Sequence, residues 1–177
     1  MRVISGKYRG KKLKEFDLVT TKPTLDRVKE SIFNLIQFDV ADSVVLDLFA
    51  GTGGLGIEAI SRGASKTFLI DNNPNAIKII NDNLKGIEGD YIVIKQDALS
   101  FLKTTNEQFD IVLLDPPYQT DLGILSIDFI VKNNLLKNNG IIIFETSEDK
   151  DFKFDYSNLQ ISKKKYGTVA VYKLVKI

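Results

Sequence analysis

Apolar residues recur along this chain in two rhythms. Between Thr24 and Gln37 they fall at Leu25, Val28, Ile32, Leu35 and Ile36, with Arg27, Lys29 and Glu30 off that stripe. This is amphipathic-helix spacing, and Thr24 suits the N-cap position. Further on, short unbroken apolar runs alternate with helical stretches. Residues 43–48, 66–70, 91–94, 109–114 and 141–144 read as strands. Helices are expected from the glycine-rich loop to about Arg62, from Pro74 to near Gly86, around residues 98–103, and from about Asp121 to Leu136. Proline in a first turn and glycine past a last one are natural helix boundaries. Two closing segments, around 152–165 and 168–175, read as antiparallel strands. Runs such as Ile111-Val112-Leu113-Leu114 and Ile141-Ile142-Ile143-Phe144 lack polar alternation. That is the pattern of strands covered by helices on both faces. The expected fold is α/β: a three-layer α/β/α Rossmann-like sandwich on a mostly parallel, seven-stranded sheet. Ahead of it, Val3-Ile4 and the stretch near Leu13 read as a small β-hairpin joined by residues 6–10. Residues 1–22 are therefore expected as a basic hairpin extension projecting from a main domain at 23–177.

Composition narrows the chemistry. The 177 residues suffice for one substantial core, and no run of 18 apolar residues offers a membrane span. The start, Met1-Arg2-Val3-Ile4-Ser5-Gly6, does not read as a secretory leader, so a cytoplasmic protein, as a monomer, is expected. There is no cysteine and no histidine. Thiol nucleophiles, disulfides, imidazole bases and the usual zinc ligands are thus excluded, and no metal is expected. Net charge is only +1, but the first 30 residues carry nine basic and four acidic side chains. That leaves +5 there and −4 over the remainder. A basic end on a nearly neutral body suits contact with a polyanion, although a solvated surface explains it too.

The loop Asp47-Leu48-Phe49-Ala50-Gly51-Thr52-Gly53-Gly54-Leu55-Gly56 joins a strand to a helix. Gly51, Gly53 and Gly56 complete a Gly-x-Gly-x-x-Gly pattern, in which backbone approaches a ligand closely. Asp71 ends the next strand, 20 residues past Gly51, where a carboxylate can accept both hydroxyls of a ribose. Capping the following helix is its plainer alternative. Asp97, after the third strand, suits the exocyclic amine of adenine, with the Ala98 N–H near the ring. It equally suits an N-cap, and the two roles can use different oxygens. Asp47 separates cofactors. Its charge would repel a pyrophosphate but welcomes an ammonium and a sulfonium. S-adenosylmethionine is therefore expected over a dinucleotide, bound by Asp47, Phe49, Gly51, Gly53, Gly56, Asp71, Asn72, Asp97 and Ala98. No Gly-Lys-Ser or Gly-Lys-Thr follows, so a phosphate-loop ATPase is excluded.

Asp115-Pro116-Pro117-Tyr118 follows the buried run 111–114. Two prolines stiffen the turn and leave the Pro116 carbonyl as a free acceptor. Asp115 supplies a second acceptor, so a planar amine could place one hydrogen on each. Tyr118 can stack on a base, worth roughly 1–3 kcal/mol. Asp115, Pro116 and Tyr118 are the candidate catalytic residues for in-line methyl transfer to a planar nitrogen. The segment does not say which base carries that nitrogen.

Two longer stretches carry a more specific likeness. They are Arg2-Val3-Ile4-Ser5-Gly6-Lys7-Tyr8-Arg9-Gly10-Lys11-Lys12-Leu13 and Lys22-Pro23-Thr24-Leu25-Asp26-Arg27-Val28-Lys29-Glu30-Ser31-Ile32-Phe33-Asn34, with Tyr166-Gly167 and Tyr172 at the end. With them the chain resembles, over essentially its whole length, the bacterial 16S rRNA guanine-N2 methyltransferases, class I S-adenosylmethionine-dependent enzymes. The resemblance implies methylation of one guanine N2 in 16S rRNA of an assembling small subunit. It also implies RNA contacts from Arg2, Lys7, Arg9, Lys11, Lys12, Thr24, Arg27 and Tyr118. The chain departs from the family pattern at Tyr8, often tryptophan, and at Asp71, more commonly glutamate. Alternatives are an N6-adenine DNA or RNA methyltransferase, a non-enzymatic RNA-binding assembly protein, and, least favoured, a nicotinamide dehydrogenase.

Overall fold

The computed structural model describes residues 1–16, 23–147 and 152–177. Helix α1 (Pro23–Leu35) precedes a strand–helix alternation: β1 (Val44–Asp47), α2 (Gly54–Ser61), β2 (Lys66–Asp71), α3 (Pro74–Asn83), β3 (Tyr91–Lys95), α4 (Ala98–Thr104), β4 (Phe109–Leu114), α5 (Leu122–Lys132) and β5 (Leu136–Ser147). Strands β6 (Leu159–Tyr166) and β7 (Val169–Lys176) complete one seven-stranded sheet in the order β3-β2-β1-β4-β5-β7-β6. The first five are parallel neighbours, and β7 runs antiparallel between β5 and β6.

The unbroken apolar runs are divided between two faces. Val45, Ile111, Leu113, Ile141 and Ile143 pack under α1, with Val28, Ile32, Phe33 and Ile36. Leu46, Val112, Leu114, Ile142 and Phe144 pack on the opposite side, with Phe101, Leu102, Ile127 and Ile130 from α4 and α5. Burial of both faces is why the strands show no polar alternation. The chain leaves the β3 edge and returns beside β1 as β4, so the strand order reverses between β1 and β4. Open α/β sheets bind ligands above the carboxyl ends of strands at such a point.

Several boundaries differ from the sequence expectation. Helix α1 begins at Pro23, so Thr24 lies in its first turn rather than capping it; proline is at ease there because its missing N–H would have no partner. Helix α5 stops at Lys132, and β5 starts at Leu136. Asn134 adopts φ 54° between them and reverses the chain. Residues 152–158 are not strand, although Phe152, Phe154 and Tyr156 alternate. Their rings instead pack in succession, with Phe152 and Phe154 against Tyr172 and Tyr156 hydrogen-bonded to Asp128 on α5.

The amino end is a short hairpin without extended strands: backbone hydrogen bonds from Val3 N–H to the Lys11 carbonyl, Gly10 N–H to the Val3 carbonyl and Leu13 N–H to the Met1 carbonyl flank the Arg2–Lys12 bridge. It does not project from the sandwich. Val3 and Leu13 are buried with Ile57, Ile60, Leu69 and Ile80. The Ile4 and Ser5 N–H groups donate to Glu58 at 2.8 and 3.0 Å. Glu58, fully buried on α2, also meets Arg62 Nε at 2.8 Å and Lys29 Nζ at 3.6 Å. The amino end, α1 and α2 are thereby pinned at one carboxylate.

Candidate active site

A cleft of about 590 Å³ opens over the carboxyl ends of β1, β2, β3 and β4. It gathers the predicted residues Phe49, Gly51, Asp71, Asn72, Asp97, Ala98, Asp115, Pro116 and Tyr118. Asp71 Oδ2 accepts from the Gly51 N–H and Oδ1 from the Asn73 N–H, both at 2.8 Å. Each oxygen keeps a second lone pair for a ribose hydroxyl. Asp71 is not the cap of α3; Asn73 is, through the Asn75 N–H at 2.9 Å. Asp97 does cap α4: its Oδ2 accepts from the Ser100 N–H at 2.9 Å. Oδ1 has no hydrogen-bond partner among the described residues.

Asp47, Gly53 and Gly56 lie beneath the loop rather than in the cleft wall. Asp47 is 1% exposed, and its Oδ2 accepts from the Gly56 N–H at 2.8 Å. A Cβ on Gly56 would stand 2.7 Å from Leu69 Cδ2 and 3.1 Å from Asp47 Oδ2, so only glycine lets the helix start press this closely. Asp47 Oδ1 is buried without a partner among the described residues. Burial, foremost, and then the charge on Asp71 push the Asp47 carboxyl up to about 7, against the pull of the Gly56 N–H.

Asp115 leaves the end of β4 and turns surface toward the cleft, yet protein surrounds it on its other sides. That burial, followed by the charges of Glu145 and Asp47, raises its carboxyl well above the ordinary carboxylate range. Tyr118 is 36% exposed at the cleft rim, and its hydroxyl donates to Glu145 Oε1 at 2.7 Å. Burial and then the Glu145 charge push the Tyr118 phenol above its ordinary value. Sequence reasoning missed Glu145, Phe16 and Gln96, which also line the cleft.

The basic residues separate into two groups. Lys7 pairs with Glu88 at 2.7 Å, and Lys11 Nζ donates to the Lys85 carbonyl at 2.7 Å. Arg2, Arg9 and Arg27 line a second groove of about 460 Å³, with Asp26 and Glu30. Among the described residues, this groove shares no lining residue with the cleft. Among the described residues, the side chains of Arg2, Arg9, Lys12 and Arg27 form no ion pair. The contacts of the Thr24 side chain lie outside the described residues. No group of three or more Asp or Glu that could hold a metal occurs among the described residues, and none of the described helices is long and apolar enough to cross a membrane.

Residues 1–175 match the family described as Conserved hypothetical protein 95. The chain belongs to this family. A family relative from Haemophilus influenzae, "Ribosomal RNA small subunit methyltransferase D", is 36% identical across 98% of this chain and 92% of its own length. The Bacillus subtilis protein YlbH is 37% identical, with 98% of each chain covered. The solved structure of yhhF from Escherichia coli superposes with a TM-score of 0.89 at 30% identity, covering 99% of this chain and 97% of that one. The family fold is that of the methyltransferases, and the cleft described above sits at its strand ends.

Proposed function

We propose that this protein transfers a methyl group from S-adenosylmethionine to the exocyclic N2 of a guanine in 16S rRNA of an assembling small subunit, in the cytoplasm. One observation carries the reading: Asp115-Pro116-Pro117-Tyr118 opens into the same cleft as Asp71, Asp97 and Ala98. A nucleoside-binding wall and an amine-binding turn thereby face each other. The relatives' names supply small-subunit rRNA, and the likeness at residues 2–13 and 22–34 supplies guanine N2.

The residues fit the cofactor. Asp47 Oδ1 is a buried acceptor without a partner among the described residues, and the ammonium of a methionine-like tail would satisfy it. Asp71 is available to the ribose hydroxyls, and Asp97 Oδ1 with the Ala98 N–H to the adenine edge. When bound, S-adenosylmethionine supplies an electrophilic methyl on a sulfonium, a leaving group that needs no activation. The protein's part is alignment and charge. Asp115 and the Pro116 carbonyl accept the two N2 hydrogens and fix the nitrogen, a proximity effect. Positive charge would grow on the nitrogen as the N–C bond formed and the C–S bond broke, and the Asp115 carboxylate would offset it. The nitrogen grows acidic as it reacts, and Asp115, its carboxyl raised by burial, is suited to receive the proton. Tyr118 supplies a stacking face that offsets the few kcal/mol needed to unstack a base.

The test offers isotopically labelled S-adenosylmethionine with unmethylated small subunits, naked 16S rRNA and DNA, and locates the product by mass spectrometry. N2-methylguanine in 16S rRNA is expected. N6-methyladenine, or no nucleic-acid product on any substrate, overturns the proposal.

A further inference from the structure

Glu145 stands on β5 beside the amine-binding turn. Leu114 and Phe144 are register partners in the β4–β5 pair, and Asp115 and Glu145 each follow by one residue. The two carboxylates therefore rise from neighbouring backbones about 4.8 Å apart. Glu145 is only 7% exposed, yet it lines the cleft. Its Oε1 accepts the Tyr118 hydroxyl, while no described residue donates to Oε2 and no described Lys or Arg pairs with it. A buried carboxylate with one neutral donor and no cation is costly. Holding a tyrosine hydroxyl alone needs no charge, since an amide oxygen would accept as well. An acceptor left open in a substrate cleft points to a donor on the substrate.

We infer that Glu145 reads the Watson–Crick edge of the target guanine by accepting its N1–H, while Asp115 and the Pro116 carbonyl hold the adjacent N2 amine. This rests on the guanine-N2 reading above and says how that choice is made. Guanine is the amine-bearing base that places a ring N–H beside its amine. Adenine and cytosine place a bare ring nitrogen there, whose lone pair would face the Glu145 oxygen. Asp115-Pro116-Pro117-Tyr118 accepts any planar amine; Glu145 supplies the discrimination. Burial, foremost, raises the Glu145 carboxyl above its ordinary range, while the Tyr118 hydroxyl pulls the other way, toward the ionised form that accepts a donor.

Two versions of 16S rRNA test this, carrying guanine or 2,6-diaminopurine at the mapped target position, each assembled into subunits. Diaminopurine keeps the 2-amino group but presents a bare N1. Wild-type protein should prefer guanine by about 10- to 100-fold in kcat/KM. Glu145→Gln should lose about that factor on guanine and gain on diaminopurine, because its amide can still accept from Tyr118 while donating to N1. Tyr118→Phe should slow turnover yet keep the base preference. Equal use of both bases by wild-type protein overturns the inference, with no variant required to fold. So does a Glu145→Gln protein that binds S-adenosylmethionine and methylates guanine at the wild-type rate, or a Tyr118→Phe protein that loses the preference. A wild-type product of N6-methyladenine instead overturns the guanine reading itself.

Discussion

The proposed role of Asp47 in holding the cofactor predicts a pH dependence at the level of a single side chain. With its carboxyl raised to about 7, it keeps its proton in the ligand-free protein under mildly acidic conditions. Because the folded value is raised, its contribution to ligand-free stability is present at low pH and is lost as pH rises through about 7. An ammonium beside the carboxyl favours the charged form, so binding should expel the proton. S-adenosylmethionine affinity should therefore climb through the mildly acidic range and level off above about 7. Calorimetry in two buffers of different ionisation enthalpy should register proton release on binding. Asp47→Asn should weaken binding and remove the slope; a flat wild-type profile would contradict the role. Asp115→Ala should act differently, cutting single-turnover methylation on the order of 100-fold or more while leaving cofactor affinity within a few-fold. Equal loss of both would place Asp115 with the cofactor instead. That Asp71 and Asp97 line the cleft was legible in the sequence, because each follows an apolar run that reads as a strand. Glu145 was not, because its nearness to Asp115 exists only through the pairing of β4 with β5.

Elements were most legible where one local pattern decided them. The run before Asp115 became β4, and Pro74 opened α3. Misreadings arose where tertiary packing outweighed the pattern. Residues 137–140 are polar and glycine-bearing, yet they extend β5. The ring series Phe152, Phe154 and Tyr156 alternates like a strand but pays no ladder. The amino end is the clearest case. Its limbs pair with each other through Val3 and Leu13, and the side chains of those two residues are buried against α2 and α3. Nothing in the sequence marks Glu58 as the anchor, since one glutamate in a helix ordinarily reads as surface. Glu58→Ala leaves Lys29, 3% exposed, without its buried partner and frees the Ile4 and Ser5 N–H groups. A loss of about 3–5 kcal/mol in denaturant unfolding is expected, with early hydrogen exchange at Ile4 and Ser5. A surface-like effect below about 0.5 kcal/mol would refute the anchor. Gly6→Ala should loosen the same junction, because φ is 84° and an added Cβ would fall 1.9 Å from the Ser61 carbonyl oxygen.

Across the whole molecule, the fold sorts charges that the sequence presents as one basic block. Lys7, Lys11, Lys14 and Lys29 neutralise or hydrogen-bond groups of the sandwich, at Glu88, the Lys85 carbonyl, Asp82 and Glu58. These contacts fasten the amino end to the sandwich, so these four lysines are already engaged before any RNA arrives. Arg2 and Arg9 from the amino end meet Arg27 from α1 in one groove, without an ion pair among the described residues. Guanidinium groups grip phosphate through paired donors, so this groove is the better candidate for backbone contact. A cation that neutralises a phosphate releases a counterion, and its removal lowers the salt dependence of binding. Arg9→Ala with Arg27→Ala should weaken binding to small-subunit RNA and make the log–log salt slope shallower by about 0.7 to 0.9 per arginine. Lys7→Ala should leave that slope nearly unchanged, because Lys7 is spent on Glu88. Affinity measured over a series of salt concentrations distinguishes the two groups. A shallower slope from Lys7→Ala, with none from the arginine pair, would move the RNA path off this groove and onto the face carrying α3 and β3.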